Sequence, residues 1–141
     1  RWDSLGEFMA IVVSLEHLAL VNGNLKAKIL ADTLDTAIED LLKNGKSPKR
    51  KVGQLDNRGS HFYLAMYWAN NLANQTEDTT LKATFEKVIA DMEIQENNIV
   101  NELNNAQGLA LDLKGYYLPD IDTAFSAMRP SAILNAIIDS I

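Results

Sequence analysis

The sequence predicts an all-α fold of about five helices packed as a bundle, with a long basic loop between the second and third helices. Apolar residues recur at helical spacing in five segments, and capping residues or glycines mark where these segments begin and end. The chain has 141 residues, of which 47% are hydrophobic and 23% are charged. This length and composition are sufficient for a single domain with a buried core.

Two helices at the start of the chain are predicted to form an antiparallel pair. Ser4 with Glu7 matches the S-x-x-E capping box of the first helix, and Asp3 is the alternative cap. Gly23 ends this helix, because glycine accepts the left-handed conformation that closes a helix. The second helix spans about residues 24–43. Because the connection is short, the two helices should pack side by side in opposite directions.

A cluster of positive charge follows the second helix, in the loop predicted for residues 45–59. Between Lys46 and Arg58 the sequence holds five of the 13 Lys and Arg residues and a single acid, Asp56, so this window is +4 in a chain of net charge −6. The five cations are Lys46, Lys49, Arg50, Lys51 and Arg58. Such a loop lets backbone N–H groups and cationic side chains converge on an anion, and arginine can grip a phosphate with two N–H groups. The alternative is a solvated run of charge without a ligand.

Two further helices are predicted after the loop. Ser60 is expected to cap a third helix over residues 62–75. Its aromatic side chains are Phe62, Tyr63, Tyr67 and Trp68. At helical spacing these aromatics indicate core packing, with stacking on nucleic-acid bases as the alternative. Thr79 or Thr80 is predicted to cap a long fourth helix that ends before Gly108.

The end of the chain is predicted to contain one more helix after an irregular stretch. Residues 109–120 show no helical pattern, and a short strand at residues 111–113 is the alternative to a fully irregular backbone. Ser131 opens the last helix, and Pro130 before it is ordinary helix-start chemistry. Arg129 either forms an ion pair with an acid or belongs to a site.

Candidates for chemistry outside the loop are few. Arg1-Trp2-Asp3 precedes a helix N-terminus, which favours anions, or else serves only to cap and staple that helix. His17 and His61 have no carboxylate cluster near them in sequence and make a poor metal site. His17 is predicted to be structural, whereas His61 either packs or joins the anion site. The sequence contains no cysteine, no Gly-x-Gly-x-x-Gly or Walker loop, and no Ser-His-Asp spacing.

The overall composition limits the classes of partner. A net charge of −6 argues against a general nucleic-acid binder, which presents a basic face. No apolar run approaches the roughly 20 residues of a membrane helix and no signal peptide is apparent, so we expect no membrane partner and a cytoplasmic location. From the residues alone two hypotheses remain. One is a stand-alone helical interaction module whose basic loop docks an acidic partner. The weaker one is a small nucleic-acid binder that uses the loop and Arg58.

Six stretches of the chain carry a specific resemblance. They are RWDSLGEFMA at residues 1–10, SLEHLA at 14–19, LDNRGSHFYLAMYWA at 55–69, NELNNAQG at 101–108, GYYLPD at 115–120 and MRPSAILNA at 128–136. In register over essentially the whole chain, they resemble the C-terminal part of monomeric-type bacterial NADP-dependent isocitrate dehydrogenase. The absence of an initial methionine fits a piece of such a larger enzyme.

The resemblance implies an oxidoreductase. The family oxidises isocitrate at its hydroxyl carbon, passes a hydride to NADP and releases carbon dioxide to give 2-oxoglutarate. A divalent metal, Mg²⁺ or Mn²⁺, holds the substrate. The catalytic residues and metal ligands of the family lie upstream of Arg1, so we expect no catalytic or metal-binding residue in this chain.

The resemblance also implies which residues of this chain meet the cofactor. Residues 1–141 correspond to the C-terminal helical part of the small domain, on the cofactor side of a two-domain enzyme. The positions that match the family's cofactor contacts are Arg1, Trp2, Asp3 and Arg50, with the arginines on the adenosine 2′-phosphate of NADP. We expect the isolated chain to be inactive and to self-associate through apolar faces that the rest of the same polypeptide would cover.

Overall fold

The computed structural model describes residues 4–141, and residues 1–3 lie outside the described part of the chain. Over residues 4–141 the protein has six helices and no strand, which confirms the predicted all-α class. The helices are α1 (Leu5–Asn22), α2 (Leu25–Lys43), α3 (Asn57–Asn74), α4 (Thr79–Asn105), α5 (Ile121–Met128) and α6 (Ala132–Ile138). Residues 109–120 are irregular as predicted, and the alternative of a short strand there is wrong.

The first two helices form the predicted pair. Gly23 closes α1 with a φ of 62°, and its N–H donates to the carbonyl oxygen of Ala19. Asn24 then opens α2, because its Oδ1 accepts a 3.1 Å hydrogen bond from the N–H of Ala27. These two residues reverse the chain, so that α1 packs directly against α2.

Two helix starts differ from the sequence prediction. α3 begins after Asp56, whose Oδ1 accepts a 3.0 Å hydrogen bond from the N–H of Gly59, and not after Ser60, which is buried inside the helix. α4 begins after Asp78, whose Oδ1 accepts two backbone N–H bonds of 2.9 Å, in place of the predicted threonine caps. In both cases a carboxylate caps the helix and adds a charge that the helix N-terminus favours. The loop therefore ends at residue 56, three residues earlier than predicted.

The core lies where α3 packs against both α2 and α4, with α1 on α2 and α6 on α4. Five large apolar side chains are fully buried: Leu34, Phe62, Leu72, Met92 and Ile99. Each such side chain contributes roughly 1.5–3 kcal/mol relative to leaving it exposed. The aromatic helix α3 therefore supplies core, as the packing interpretation predicts. Trp68 joins it to α2, since its Nε1 donates to Thr33 Oγ1 at 3.0 Å.

Helix α1 is apolar on nearly all its faces, yet of its side chains only those of Phe8 and Val12 are buried. Its exposed apolar residues are Met9, Ile11, Val13, Leu18, Leu20 and Val21. By length and composition α1 is long and apolar enough to cross a membrane, contrary to the expectation from apolar runs; core helices of soluble proteins meet the same criterion. Self-association through this surface stays a prediction.

A second apolar surface lies in residues 109–128, which include α5. The irregular part folds back on itself, because the N–H of Asp120 donates to the carbonyl oxygen of Leu113 at 2.8 Å. The turn projects Tyr116 and Tyr117 into solvent, where they are 91% and 90% exposed. α5 has eight residues and buries none of its side chains. Its apolar residues Ile121, Ala124, Phe125 and Met128 follow helical spacing, a signal that the prediction of about five helices missed.

Candidate functional site

The site is centred on the loop between α2 and α3, which lies beside the C-terminal end of α4. A cleft of about 570 Å³ opens between this loop, the residues that follow α4 and the connection from α5 to α6. Lys49, Arg50 and Lys51 line the loop side of this cleft, and all three are exposed. Its volume lies in the range of small-molecule sites, and its loop side is cationic.

Arg58 does not belong to the loop, contrary to the sequence prediction. It lies in the first turn of α3, and its Nε and Nη2 donate to Asp56 Oδ2 at 2.9 and 2.7 Å. Its Nη1 donates to the carbonyl oxygen of Ala127 at 2.8 Å, which ties the start of α3 to α5. Arg58 and Asp56 cancel each other's charge in a partly buried pair, so Arg58 shapes one wall of the cleft without adding net charge to it.

Lys46, which the sequence placed among the anion-binding cations, contacts an aromatic ring in the structure. Its Nζ lies 3.7 Å from the centroid of the Tyr63 ring, a cation–π contact. The hydroxyl of Tyr63 donates to Glu96 Oε1 at 2.7 Å, and burial together with this hydrogen bond raises the pKa of Tyr63. Lys46 thus fastens the end of α2 to α3.

Three of the five predicted loop cations therefore face the cleft and have no partner among residues 4–141. Over residues 4–141 the side chains of Lys49, Arg50 and Lys51 form no ion pair and no hydrogen bond. Adjacent like charges repel one another, so a site that holds three of them together favours an anion. Three of the five cations thus remain at the cleft, and binding of an anion by them stays a prediction.

The loop is held in place rather than freely solvated. The side-chain amide of Gln107, just after α4, accepts from the N–H of Gly53 at 2.8 Å and donates to the carbonyl oxygen of Gln54 at 2.9 Å. Gly108 has a φ of 84°, and a Cβ there would lie 3.1 Å from Val52 Cγ1, so glycine allows the loop to approach closely. The sequence alone did not identify Gln107 as part of the site. Its only mark in the sequence is its position directly before Gly108, the glycine at the end of the fourth helical segment.

Ser4 is the described residue nearest the Arg1-Trp2-Asp3 motif, and its side chain does not cap α1. The capping box predicted for Ser4 and Glu7 is therefore wrong. Instead Ser4 Oγ lies 3.0 Å from His61 Nε2 in α3, and the His61 ring packs edge-on against Phe8 at 5.0 Å. This contact spans 57 residues of sequence, which is why a local pattern could not show it.

The Ser4 contact places the start of the described chain close to the beginning of the basic loop. Ser4 and His61 line a small cavity together with Ser47 and Pro48, which directly precede Lys49 and Arg50 in the loop. Arg1, Trp2 and Asp3 themselves lie outside the described residues, so their cofactor contacts stay predictions. Arg50 is described and exposed at the cleft.

Arg129 forms an ion pair rather than facing the cleft. Its Nη2 donates to Asp139 Oδ1 and its Nε to Asn135 Oδ1, both at 3.1 Å. Its guanidinium also lies 4.9 Å from the centroid of the Phe125 ring. These contacts join α5 to α6, which confirms the ion-pair alternative for this residue.

Comparison with known proteins decides the family. Residues 1–139 match the sequence model described as monomeric isocitrate dehydrogenase. The chain belongs to the monomeric isocitrate dehydrogenase family. The resemblance seen in the sequence motifs is thereby confirmed over nearly the whole chain.

Three relatives show how similar the sequence of the chain is to those of other family members. The chain is 59% identical over all of its 141 residues to isocitrate dehydrogenase [NADP] 2 of Colwellia maris and 58% identical to that of Psychrobacter sp. (strain 13A). It is 55% identical over 136 residues, 96% of the chain, to isocitrate dehydrogenase [NADP] of Azotobacter vinelandii. The chain spans 19%, 19% and 18% of these three relatives, so it corresponds to about a fifth of a family member.

Metal ligation has no candidate in the described part of this family member. No group of three or more His, Asp or Glu side chains over residues 4–141 could hold a metal ion.

The His61 contact gives the stability of the chain a testable pH dependence. Partial burial against Phe8 and Ser4 lowers the pKa of His61 below its ordinary value of 6.5, although the Asp56 and Glu7 carboxylates oppose the shift. Well above pH 6.5 His61 is neutral in both the folded and the unfolded chain, so its lowered pKa does not affect stability. Below pH 6.5 the unfolded chain binds a proton at His61 more readily than the folded chain does. The free energy of unfolding therefore falls as the pH drops from 6.5 towards the lower pKa of the folded state.

We expect His61→Gln to remove part of this pH dependence. Urea unfolding midpoints measured from about pH 7.5 to about pH 5 should fall less steeply for the variant than for the native chain. The matched control is His17→Gln, because His17 is the other histidine and lies exposed on α1. Parallel slopes for the native chain and His61→Gln would contradict the shift.

Proposed function

We propose that this chain is the C-terminal, cofactor-side part of an NADP-dependent isocitrate dehydrogenase, that residues 1–141 belong to its small domain, and that the basic loop binds the adenosine 2′-phosphate of NADP. The shared cavity is the observation that carries the proposal. Ser4, which follows Arg1-Trp2-Asp3 in the sequence, and Ser47-Pro48, which precede Lys49-Arg50, line the same cavity. Ser4 and Ser47, which are separated by about a third of the chain, therefore lie at one cavity, and this supports a joint role for the segments next to them.

The loop residues suit a dianionic phosphate. The Arg50 guanidinium would hold the 2′-phosphate through paired N–H groups, a geometry that a lysine ammonium cannot supply. Lys49 and Lys51 on either side raise the positive potential of the cleft and so favour NADP over NAD. The residues present thus fit the cofactor that the relatives' names specify.

The residues before α1 are proposed to complete this pocket. Arg1 would add a second guanidinium to the 2′-phosphate. Asp3 would accept a hydrogen bond from a hydroxyl of the cofactor, and Trp2 would contact it. These assignments rest on the resemblance and on the place where α1 begins.

The remaining parts of the reaction are assigned to the rest of the polypeptide. NADP, when bound, supplies the hydride acceptor for the hydroxyl carbon of isocitrate. We propose that isocitrate and its Mg²⁺ or Mn²⁺ are held outside this chain, whose own residues bind and orient the cofactor. The rest of the polypeptide would also cover the exposed faces of α1 and of residues 109–128. We place the enzyme in the cytoplasm, with no nucleic-acid or membrane partner.

The direct test is an activity assay on the full-length protein that contains this chain. We expect NADPH formation that requires isocitrate and Mg²⁺ or Mn²⁺, and much slower reduction of NAD. The 141-residue chain alone, assayed in parallel, should be inactive. A folded full-length protein without isocitrate-dependent NADPH formation would contradict the proposal and favour a helical module whose basic loop docks an acidic partner.

A further inference from the structure

The tip of the basic loop is hydrogen-bonded to the side chain of Gln107, which follows the end of α4. We propose that Gln107 is a positioning residue for NADP recognition: its amide holds the loop so that Arg50 is preset for the 2′-phosphate. This inference rests on the proposed function and deepens it. It assigns part of the preference for NADP over NAD to a residue that carries no charge.

The Gln107 amide uses both of its ends. Its Oε1 accepts from the N–H of Gly53 at 2.8 Å, and its Nε2 donates to the carbonyl oxygen of Gln54 at 2.9 Å. Nε2 also donates to Asn104 Oδ1 in the last turn of α4, at 3.2 Å. This set of partners fixes the orientation of the amide, because a flipped amide would place N–H against N–H and oxygen against oxygen.

Backbone hydrogen bonds within the loop join Lys49 to Leu55 and Lys51 to Gln54, so a displacement of the tip also moves the residues between them. The N–H of Lys49 donates to the carbonyl oxygen of Leu55 at 2.7 Å, and the N–H of Gln54 donates to that of Lys51 at 3.1 Å. Arg50 lies between Lys49 and Leu55. A restraint at the tip therefore limits where the Arg50 backbone can lie.

The restraint connects to the core through α4. Leu103, in the last turn of that helix, is 3% exposed, and Ile99, one turn before it, is fully buried. The position of Gln107 thus follows the packed bundle. The two ends of the loop are anchored by the buried Pro48 and by Leu55, which packs against the core, whereas Val52 at the tip is 71% exposed. Without the amide, the exposed tip between these anchors loses the two hydrogen bonds that join it to the residues after α4.

Loop positioning acts on affinity through the fraction of molecules that are ready to bind. A site that is competent only part of the time binds with an apparent affinity lowered by that fraction. Two hydrogen bonds that are accessible to water stabilise the held loop modestly, so we expect release of the loop to weaken NADP binding by about fivefold. NAD lacks the 2′-phosphate, so its binding should not change.

The test is Gln107→Met in the full-length enzyme, a change that keeps the side-chain length and removes both polar ends. We expect KM for NADP to rise about fivefold while KM for isocitrate and kcat stay within about twofold. The matched control is Gln75→Met. Gln75 holds the α3–α4 connection in the same way, accepting from the N–H groups of Glu77 and Asp78 at 2.8 Å and donating to the Asp78 carbonyl oxygen.

Two further readouts separate positioning from general stability. Amide hydrogen exchange at Gly53 should accelerate in Gln107→Met and not in Gln75→Met, because the Gly53 N–H loses its acceptor. An equal rise in KM for NADP in both glutamine variants, or an equal rise in KM for NADP and isocitrate, would overturn the positioning role.

The charge reversal Arg50→Glu distinguishes failure of this inference from failure of the proposed function. If Arg50→Glu raises KM for NADP selectively and Gln107→Met does not, the loop binds the phosphate but Gln107 does not position it. If Arg50→Glu also leaves KM for NADP unchanged, the assignment of the loop to the 2′-phosphate fails, and the role of Gln107 fails with it.

Discussion

Replacing Phe62 by alanine is expected to lower the free energy of unfolding of the chain by about 3–5 kcal/mol, the range for a large aromatic side chain removed from a core. Phe62 is 1% exposed and lies in α3, the helix that packs against both α2 and α4. Its removal takes apolar area from the core and leaves a cavity that two helices on either side cannot easily fill. Because native domains are stable by only about 5–15 kcal/mol, the variant should lose a large fraction of its stability.

The matched control for this prediction is Phe125→Ala. Phe125 lies on α5, is 54% exposed and contacts the Arg129 guanidinium, so its removal should cost less than about 1 kcal/mol. Urea unfolding followed by far-ultraviolet circular dichroism measures both variants. Equal losses at the two positions would contradict the assignment of the core to the α2–α3–α4 contact.

The long helices could be predicted from the sequence because their signals are local. Apolar spacing and the glycine at position 23 located α1 and α2. The cap positions were harder, because Asp56 and Ser60 are both good capping residues within four positions of each other. Asp56 caps the helix through Oδ1 while its Oδ2 accepts from Arg58, and Arg58 in turn donates to the carbonyl oxygen of Ala127 in α5, a contact that no local pattern shows.

The composition of the candidate site was only partly predictable, for a related reason. The sequence gathers five cations, but two of them are used by contacts with other helices: Arg58 reaches 69 residues along the chain to Ala127, and Lys46 covers the Tyr63 ring. The Gln107 contacts with the loop likewise span 53 and 54 residues. Periodicity and spacing describe neighbours in sequence, so they carry no information about such pairs. The family resemblance, by contrast, singled out Arg50 among the loop cations, and the cleft exposes it.

The second large effect is expected for Arg50→Glu in the full-length enzyme, where KM for NADP should rise about tenfold to a hundredfold. Charge-assisted hydrogen bonds to a phosphate are worth roughly 1.5–3 kcal/mol, which corresponds to that range. The introduced carboxylate would also repel the 2′-phosphate. KM for isocitrate should change much less, because Arg50 is proposed to contact only the cofactor. The measurement is steady-state NADPH formation with each substrate varied in turn.

A control that makes the same change of charge is available on the same chain. Lys87 lies on α4, about 27 Å along the helix axis from the end beside the cleft at about 1.5 Å per residue. That distance exceeds the Debye length of about 8 Å at physiological salt, so Lys87→Glu should leave KM for NADP within about twofold of the native value. Similar rises in KM for NADP in both variants would point to the overall charge of the protein rather than to a phosphate contact. Equal rises for NADP and isocitrate in Arg50→Glu alone would indicate a disturbed fold around the loop and would contradict the 2′-phosphate role.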